Sequence, residues 1–277
     1  MNVLMVIFSQ TGNTVKFAES ISNSFSSQGH NVYLVTLNQF KPELLSSCQL
    51  IGVGSPCFNS QAPTPAKIFL RGLPLLKGKQ AFVFATSGGA PGKVLFDMSL
   101  LLRRKGADVI AGLHTRGEVA YPAPALKGRF PGRPNQEDLR IGAAFAHYIM
   151  KKILHPANDD LIREFESHKF AWNFYSLMAY LITDGVIRLL MPKPNHLAQR
   201  CQKHGICQIN CPMAAITLKP YPSVNQSRCI RCFRCVNTCP ELARLLQWGW
   251  ADWLIALVYN VPMERILGAI KPGDTVY

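Results

Sequence analysis

Acidic side chains are scarce in this chain: 16 Asp and Glu stand against 30 Lys and Arg in 277 residues, a formal charge of +14. The excess is not gathered in one place. Residues 1–150 hold 15 basic against 7 acidic side chains, and residues 151–277 hold 15 against 9. No basic run is interleaved with aromatics, so the charge does not read as a nucleic-acid surface. Long apolar runs are missing as well. The longest candidate, Phe170 to Leu190, contains Asn173, Asp184 and Arg188 and reads as a buried helix pair, not a membrane span. The opening MNVLMVIFSQ has neither the basic region nor the small-residue cleavage site of a secretory signal, so a cytoplasmic chain without a transmembrane segment is expected. With 48% hydrophobic and 17% charged residues, neither disorder nor a coiled coil is indicated.

Cysteines outside one segment are also few. Only Cys48 and Cys57 of the nine lie elsewhere than Cys201 to Pro240, which excludes a disulfide framework and points to metal chemistry in a reducing compartment. That segment reads CQKHGICQINCP and, further on, CIRCFRCVNTCP. The second half has the C-x2-C-x2-C-x3-C-P spacing that wraps a cubane iron–sulfur cluster, in which the Cys before Pro serves the neighbouring cluster. By that rule Cys229, Cys232 and Cys235 hold one 4Fe–4S cluster closed by Cys211, while Cys239 closes the one started by Cys201 and Cys207. Zinc sites also use four Cys, but rarely a third CxxC-spaced thiolate followed by CP.

The first half departs from this pattern, with spacing C-x5-C-x3-C-P and His204 in the second ligand position. Three outcomes are open: a 4Fe–4S cluster with His204 as ligand, a 3Fe–4S cluster on Cys201, Cys207 and Cys239, or no cluster. The reading leans to His204. A neutral imidazole in place of a thiolate would raise that cluster's potential.

Upstream, the short apolar run at residues 3–8 is the mark of a strand buried on both faces of a parallel sheet. Ser9-Gln10-Thr11-Gly12-Asn13-Thr14 follows, and then a helical pattern (Val15, Phe17, Ala18, Ile21, Phe25). A hydroxyl- and Gly-rich loop before a helix N-terminus is an anion cradle. It has neither GK[ST] nor GxGxxG, which argues against a nucleoside-triphosphate loop and a dinucleotide fingerprint. Further strands are expected at 31–37, 50–54, 79–85 and 108–113, with helices at 41–46, 94–105 and 136–154. Alternation at these lengths predicts a doubly wound parallel five-stranded sheet. Loops 9–14, 55–61 and 86–93 all fall at strand carboxyl ends, where such sheets bind ligands.

At these residues the chain resembles a known family. SQTGNT is similar to the phosphate loop of flavodoxins, [S/T]-x-T-G-N-T, and the CP motifs resemble two-cluster bacterial ferredoxins. Together they resemble the flavodoxin–ferredoxin fusion family of anaerobic prokaryotes. The resemblance implies that Ser9, Gln10, Thr11, Gly12, Asn13 and Thr14 hold the phosphate of FMN. It also implies that Ser55, Pro56, Cys57, Phe58 and Asn59, with Thr86, Ser87, Gly88 and Gly89, border the flavin ring. No Trp/Tyr pair stands ready to stack the flavin; Phe58 is the nearest aromatic.

The expected organisation is a flavodoxin-like domain (1–155), a helical connector (156–195), a small α+β ferredoxin-like domain (196–242) and a helical tail (243–277). Tyr121–Arg133 reads as a solvated excursion, with flavin cover or partner contact as other readings. Trp248, Trp250, Trp253, Leu254, Leu257 and Val258 read as a helix packed on the ferredoxin module. Bound cofactors would remove roughly six charge units and leave the surface basic, which suits an acidic redox partner such as a ferredoxin or flavodoxin. Electron transfer between FMN, clusters and partner is expected. A reductase with a bound substrate is the alternative, which a walled pocket over the flavin would mark. A module that has lost its cofactors is the third reading.

Overall fold

A computed structural model describes residues 1–156 and 174–259. The opening apolar run becomes β1 (Asn2–Ile7). It lies in one sheet with β2 (Asn31–Thr36), β3 (Leu50–Pro56), β4 (Gln80–Ser87) and β5 (Asp108–Arg116), in the order β2-β1-β3-β4-β5. All four pairings are parallel. Because β1 is buried on both faces, Val3, Met5 and Ile7 join one core with α1 (Asn13–Ser27) and α5 (Gln136–Leu154). Leu4 and Val6 join another with α2 (Glu43–Ser47), α3 (Thr64–Gly72) and α4 (Val94–Arg104). This is the flavodoxin-like doubly wound order, and the chain reverses its winding between β1 and β3. The loops that flank that point therefore meet at one end of the sheet.

Strands β3, β4 and β5 run past the residues where their apolar stretches stop. Ladder pairs continue through Pro56 with Thr86 and through Ser87 with Arg116, because sheet hydrogen bonding does not depend on side-chain polarity. Helix α3, which begins just after Pro63, was not expected from the sequence.

Gly52 and Gly54 make room for the α1/α5 core. A Cβ on Gly52 would lie 2.3 Å from the Phe82 ring, and one on Gly54 would lie 2.2 Å from the Phe84 ring. The two rings stack with centroids 6.2 Å apart and meet Phe25, Phe145 and Phe17 from the helices. Aromatic pairs in such geometries add to burial.

Asp138, buried to 1% exposure, joins three elements. With Asn135 it forms the capping box of α5. Its carboxylate also accepts from Thr115 at 2.8 Å and from Arg133 at 2.6 and 2.8 Å. Burial alone would raise its pKa, but these donors hold it below the usual carboxylate range. Asp138→Ala is expected to cost about 3 kcal/mol in thermal or denaturant unfolding, because it removes the acceptor of the buried Thr115 hydroxyl and breaks the ion pair with Arg133. The wild-type contribution is present above the pKa of the unfolded carboxyl. It is lost as pH falls through the lower folded value, and the alanine variant should lack that acid dependence.

Past the sheet come α6 (Phe174–Leu181) and α7 (Asp184–Leu190), separated just before Asp184 as the sequence suggests. Residues 157–173 of the expected helical connector, and the tail beyond residue 259, lie outside the described residues. The cysteine-rich segment folds around α8 (Ile206–Ile209) and α9 (Arg234–Asn237), with β6 (Asn195–His196) paired to β9 (Arg244–Leu245) and β7 (Ile216–Thr217) to β8 (Ser223–Val224). Helix α10 (Trp250–Val258) follows.

The expected solvated loop is instead a hub between the halves. Ala123, Leu126 and Phe130 are buried, and the first two share a core with Ile187, Met191, Phe233 and Ile255. Asn237 donates to Ala120 O at 2.7 Å, and Asp252 accepts from Ala125 N at 2.9 Å. The tail helix accordingly packs on this loop as well as against Phe233, while Trp250, Trp253 and Leu257 stay exposed.

Candidate cofactor cavity and cluster motifs

Loops at the carboxyl ends of β1, β3, β4 and β5 surround one cavity of about 370 Å³, a size ordinary for cofactor sites. Every flavin-site residue expected from the sequence lines it except Gly12 and Ser55. Gly12 is exposed just before α1, where its φ of +92° makes the turn into the helix. Ser55 is fully buried within β3, its hydroxyl donating to Pro56 O at 3.0 Å.

The β1 loop suits an anion. No side chain caps the first turn of α1, so its leading N–H groups and the helix dipole face the cavity end. Asn13 donates to Glu118 O at 2.9 Å, and the Thr14 and Thr86 hydroxyls meet at 2.9 Å. These two side chains therefore brace the loop against the ends of β4 and β5. The Gln10 amide nitrogen is buried beside Cys232, and its side chain opposes the rise that burial imposes on that thiol's pKa.

The β3 and β4 loops are held just as firmly. Cys57 N donates to Thr86 O at 2.8 Å, and burial pushes its thiol up to about 12, which keeps it neutral. Ser87 hydroxyl donates to Gly89 O at 2.7 Å and meets His114 Nε2 at 2.6 Å. Arg116, buried over the Phe130 ring, also donates to Gly89 O, at 2.6 Å. His114 and Arg116 therefore shape the loop and do not line the cavity. A Cβ on Gly88 would come within 2.1 Å of Val119 Cγ2, so only glycine fits there.

The roof was not legible in the sequence. Val186, Ile187 and Leu190 of α7, Leu254 and Ile255 of α10, and Tyr121, Leu126 and Tyr259 close the cavity with apolar surface. Asp184 anchors α7, accepting from Thr64 at 2.6 Å and Gln61 at 3.4 Å. Tyr121 is an aromatic of the cavity wall: its ring meets Phe233 at 5.0 Å and Trp248 at 5.7 Å, and burial drives its phenol pKa far up. An aromatic and a Gly-Glu-Val-Ala run after a buried strand would have been the available signal.

The cysteine segment repeats its backbone every twenty-eight positions. Cys201, Cys207 and Cys211 correspond to Cys229, Cys235 and Cys239, and His204 to Cys232. Positive φ recurs at Lys203 and Arg231, at Gly205 and Phe233, and at Ala214 and Leu242. Cys211 and Cys239 sulfurs each accept a backbone N–H four residues on, from Ala215 at 3.2 Å and Ala243 at 3.3 Å. Cys211, Cys229, Cys232 and Cys235 line one small void of about 20 Å³, the set the CP rule assigned to one cube. Burial pushes the Cys235 thiol up to about 12, against the pull of Arg244, so a cationic centre is needed to hold it as thiolate. Among the described residues no three His, Cys, Asp or Glu side chains converge on a point that could hold a single ion. His204 is exposed and lines neither cavity. Cys232 lines both.

Comparison with known proteins bears on each half. Residues 221–243 match the 4Fe-4S binding domain family. Among solved structures, a flavodoxin from the domain Archaea is 23% identical, with 56% of this chain and 100% of that one covered at a TM-score of 0.47. Flavodoxin 2 from Bacillus cereus is 23% identical over 55% of this chain and 99% of its own, TM-score 0.43. Rubredoxin oxygen:oxidoreductase from Desulfovibrio gigas is 19% identical over 57% of this chain and 37% of its own, TM-score 0.44. Curated proteins gave no match. The fold assignment rests on the strand order itself. The chain joins an α/β domain of flavodoxin-like strand order to a segment that matches the 4Fe-4S binding domain family. Among the described residues, no helix is long and apolar enough to cross a membrane.

Proposed function

We propose that this protein is an electron-transfer flavo-iron–sulfur protein of the cytoplasm, working between FMN, two clusters and an acidic redox partner. The observation that carries the proposal is that Cys232, a cubane ligand by its spacing, lines the same cavity as the β1 phosphate-type loop. When bound, FMN handles one or two electrons and each cubane passes one, so their union converts pairs into single steps. The α1 N-terminus and the Gln10 amide would hold the phosphate. Cys57, Phe58, Asn59, Gly88 and Gly89 would border the ring, with α7 and α10 keeping water out. Cys211, Cys229, Cys232 and Cys235 would hold the near cluster, and Cys201, His204, Cys207 and Cys239 the far one. Protein purified without oxygen should carry one FMN and about seven or eight irons. Iron near zero, or zinc in its place, would defeat the proposal.

His204→Cys tests the far site. If the imidazole is a ligand, a thiolate there adds negative charge and lowers the potential of one cluster, read by potentiometric titration. A three-iron spin-resonance signal in oxidised wild-type protein would show that it is not.

The apolar roof is the one observation that favours a reductase acting on a bound substrate. Against it, Glu118 is the only carboxylate lining the cavity among the described residues, and its Oε2 accepts from Gly132 N at 2.9 Å, so among them no acid–base pair faces the space.

A further inference from the structure

Two guanidinium groups in the cluster module are buried without an acid partner. Arg231 and Arg244 are 2% and 3% exposed, and among the described residues neither forms an ion pair. Arg231 has good acceptors in part, donating to Gln226 Oε1 at 2.7 Å and Arg188 O at 3.4 Å. Arg244 has almost none. Its Nη2 reaches Pro222 O at 3.4 Å and Cys207 Sγ at 3.9 Å, while Nε and Nη1 have no partner.

A buried cation with idle donors is strongly unfavourable unless an anion sits beside it. Among the described residues no carboxylate pairs with Arg244. Arg244 lies in β9 opposite His196, whose imidazole it makes harder to protonate, after burial has done the same. On one side the guanidinium meets Cys207, of the first motif. On the other, the strand that carries it packs against α9, which holds Cys235, of the second. Its place is between the two motifs.

We infer that Arg244 is the counter-cation shared by the two clusters, stabilising the more negative, reduced form of each and so raising both potentials. This rests on the proposed reading that both motifs are filled. Arginine suits the position because it stays protonated when buried and offers donors in several directions, where one lysine ammonium would serve a single point.

The test uses anaerobically purified holoprotein with Arg244→Gln and Arg244→Lys, read by iron content and by potentiometric titration monitored with spin resonance. In Arg244→Gln both midpoint potentials should fall by the equivalent of about tenfold in each one-electron equilibrium, about 59 mV, while Arg244→Lys stays closer to wild type. Iron retained by the Lys variant but lost from the Gln variant would also support the assignment, since charge would then be what the clusters need. Unchanged potentials in a loaded Gln variant, a shift in one cluster alone, or iron lost from both variants would overturn it. Wild-type iron content separates this from the reading beneath it. Iron for a single cluster would overturn both before any variant is made.

Discussion

Cys232→Ala protein, purified without oxygen, is expected to keep its FMN and to lose about half of its iron, on the order of four atoms. The thiol is one of four around the small void, so its loss leaves a cube with an unligated corner. It is also the only cysteine that lines both that void and the large cavity. The variant should therefore lose more than metal. Flavin and remaining iron should no longer change oxidation state together after a rapid pulse of reductant, because the shared wall is gone. Cys239→Ala is the control, since Cys239 lines neither space. It should disturb the far cluster and leave flavin and near cluster in step. Equal behaviour of the two variants would remove any special role for Cys232.

Gly88→Val should weaken flavin retention by about tenfold to a hundredfold, the equivalent of about 1–3 kcal/mol of overpacking at the loop. A Cβ there falls 2.1 Å from Val119 Cγ2 and 3.1 Å from Gly117 O, and the second is backbone held by Ser87 O at 3.0 Å. The loop that Gly88 belongs to is itself pinned through Gly89 O by Ser87 and Arg116. Neither side can give way freely, so the strain goes into the cavity. Titration of FMN into apoflavoprotein measures the effect. Adding Val119→Ala should recover much of the affinity, which a general folding defect would not allow.

What the sequence disclosed were features set by local chemistry. A buried strand followed by SQTGNT places its loop at a helix N-terminus whatever lies elsewhere, and cubane ligands must keep their spacing. The loop stands where the strand order puts it, at one end of the sheet. Ser55 shows the limit: the β3 ladder runs on to Pro56, so a residue counted as loop stays inside the sheet. The roof was illegible for another reason. Val186, Ile187, Leu254 and Ile255 form apolar stripes that would look the same in any buried helix, and their targets are loops far off in the chain. Tyr121–Arg133 misled through composition. Its Pro, Gly and basic residues look like solvated loop, while the contacts that bury Ala123 and Leu126 come from distant segments with no periodic trace.

The central claim is that flavin and clusters exchange electrons inside one molecule, across the wall that holds Cys232. A flash-generated one-electron donor, supplied at less than one equivalent to anaerobic holoprotein, tests it by following flavin and cluster absorbance at several protein concentrations. Redistribution between the two signals at a rate independent of protein concentration is the result predicted here. A rate that rises in proportion to protein concentration would mean that electrons cross only between molecules, and would contradict it.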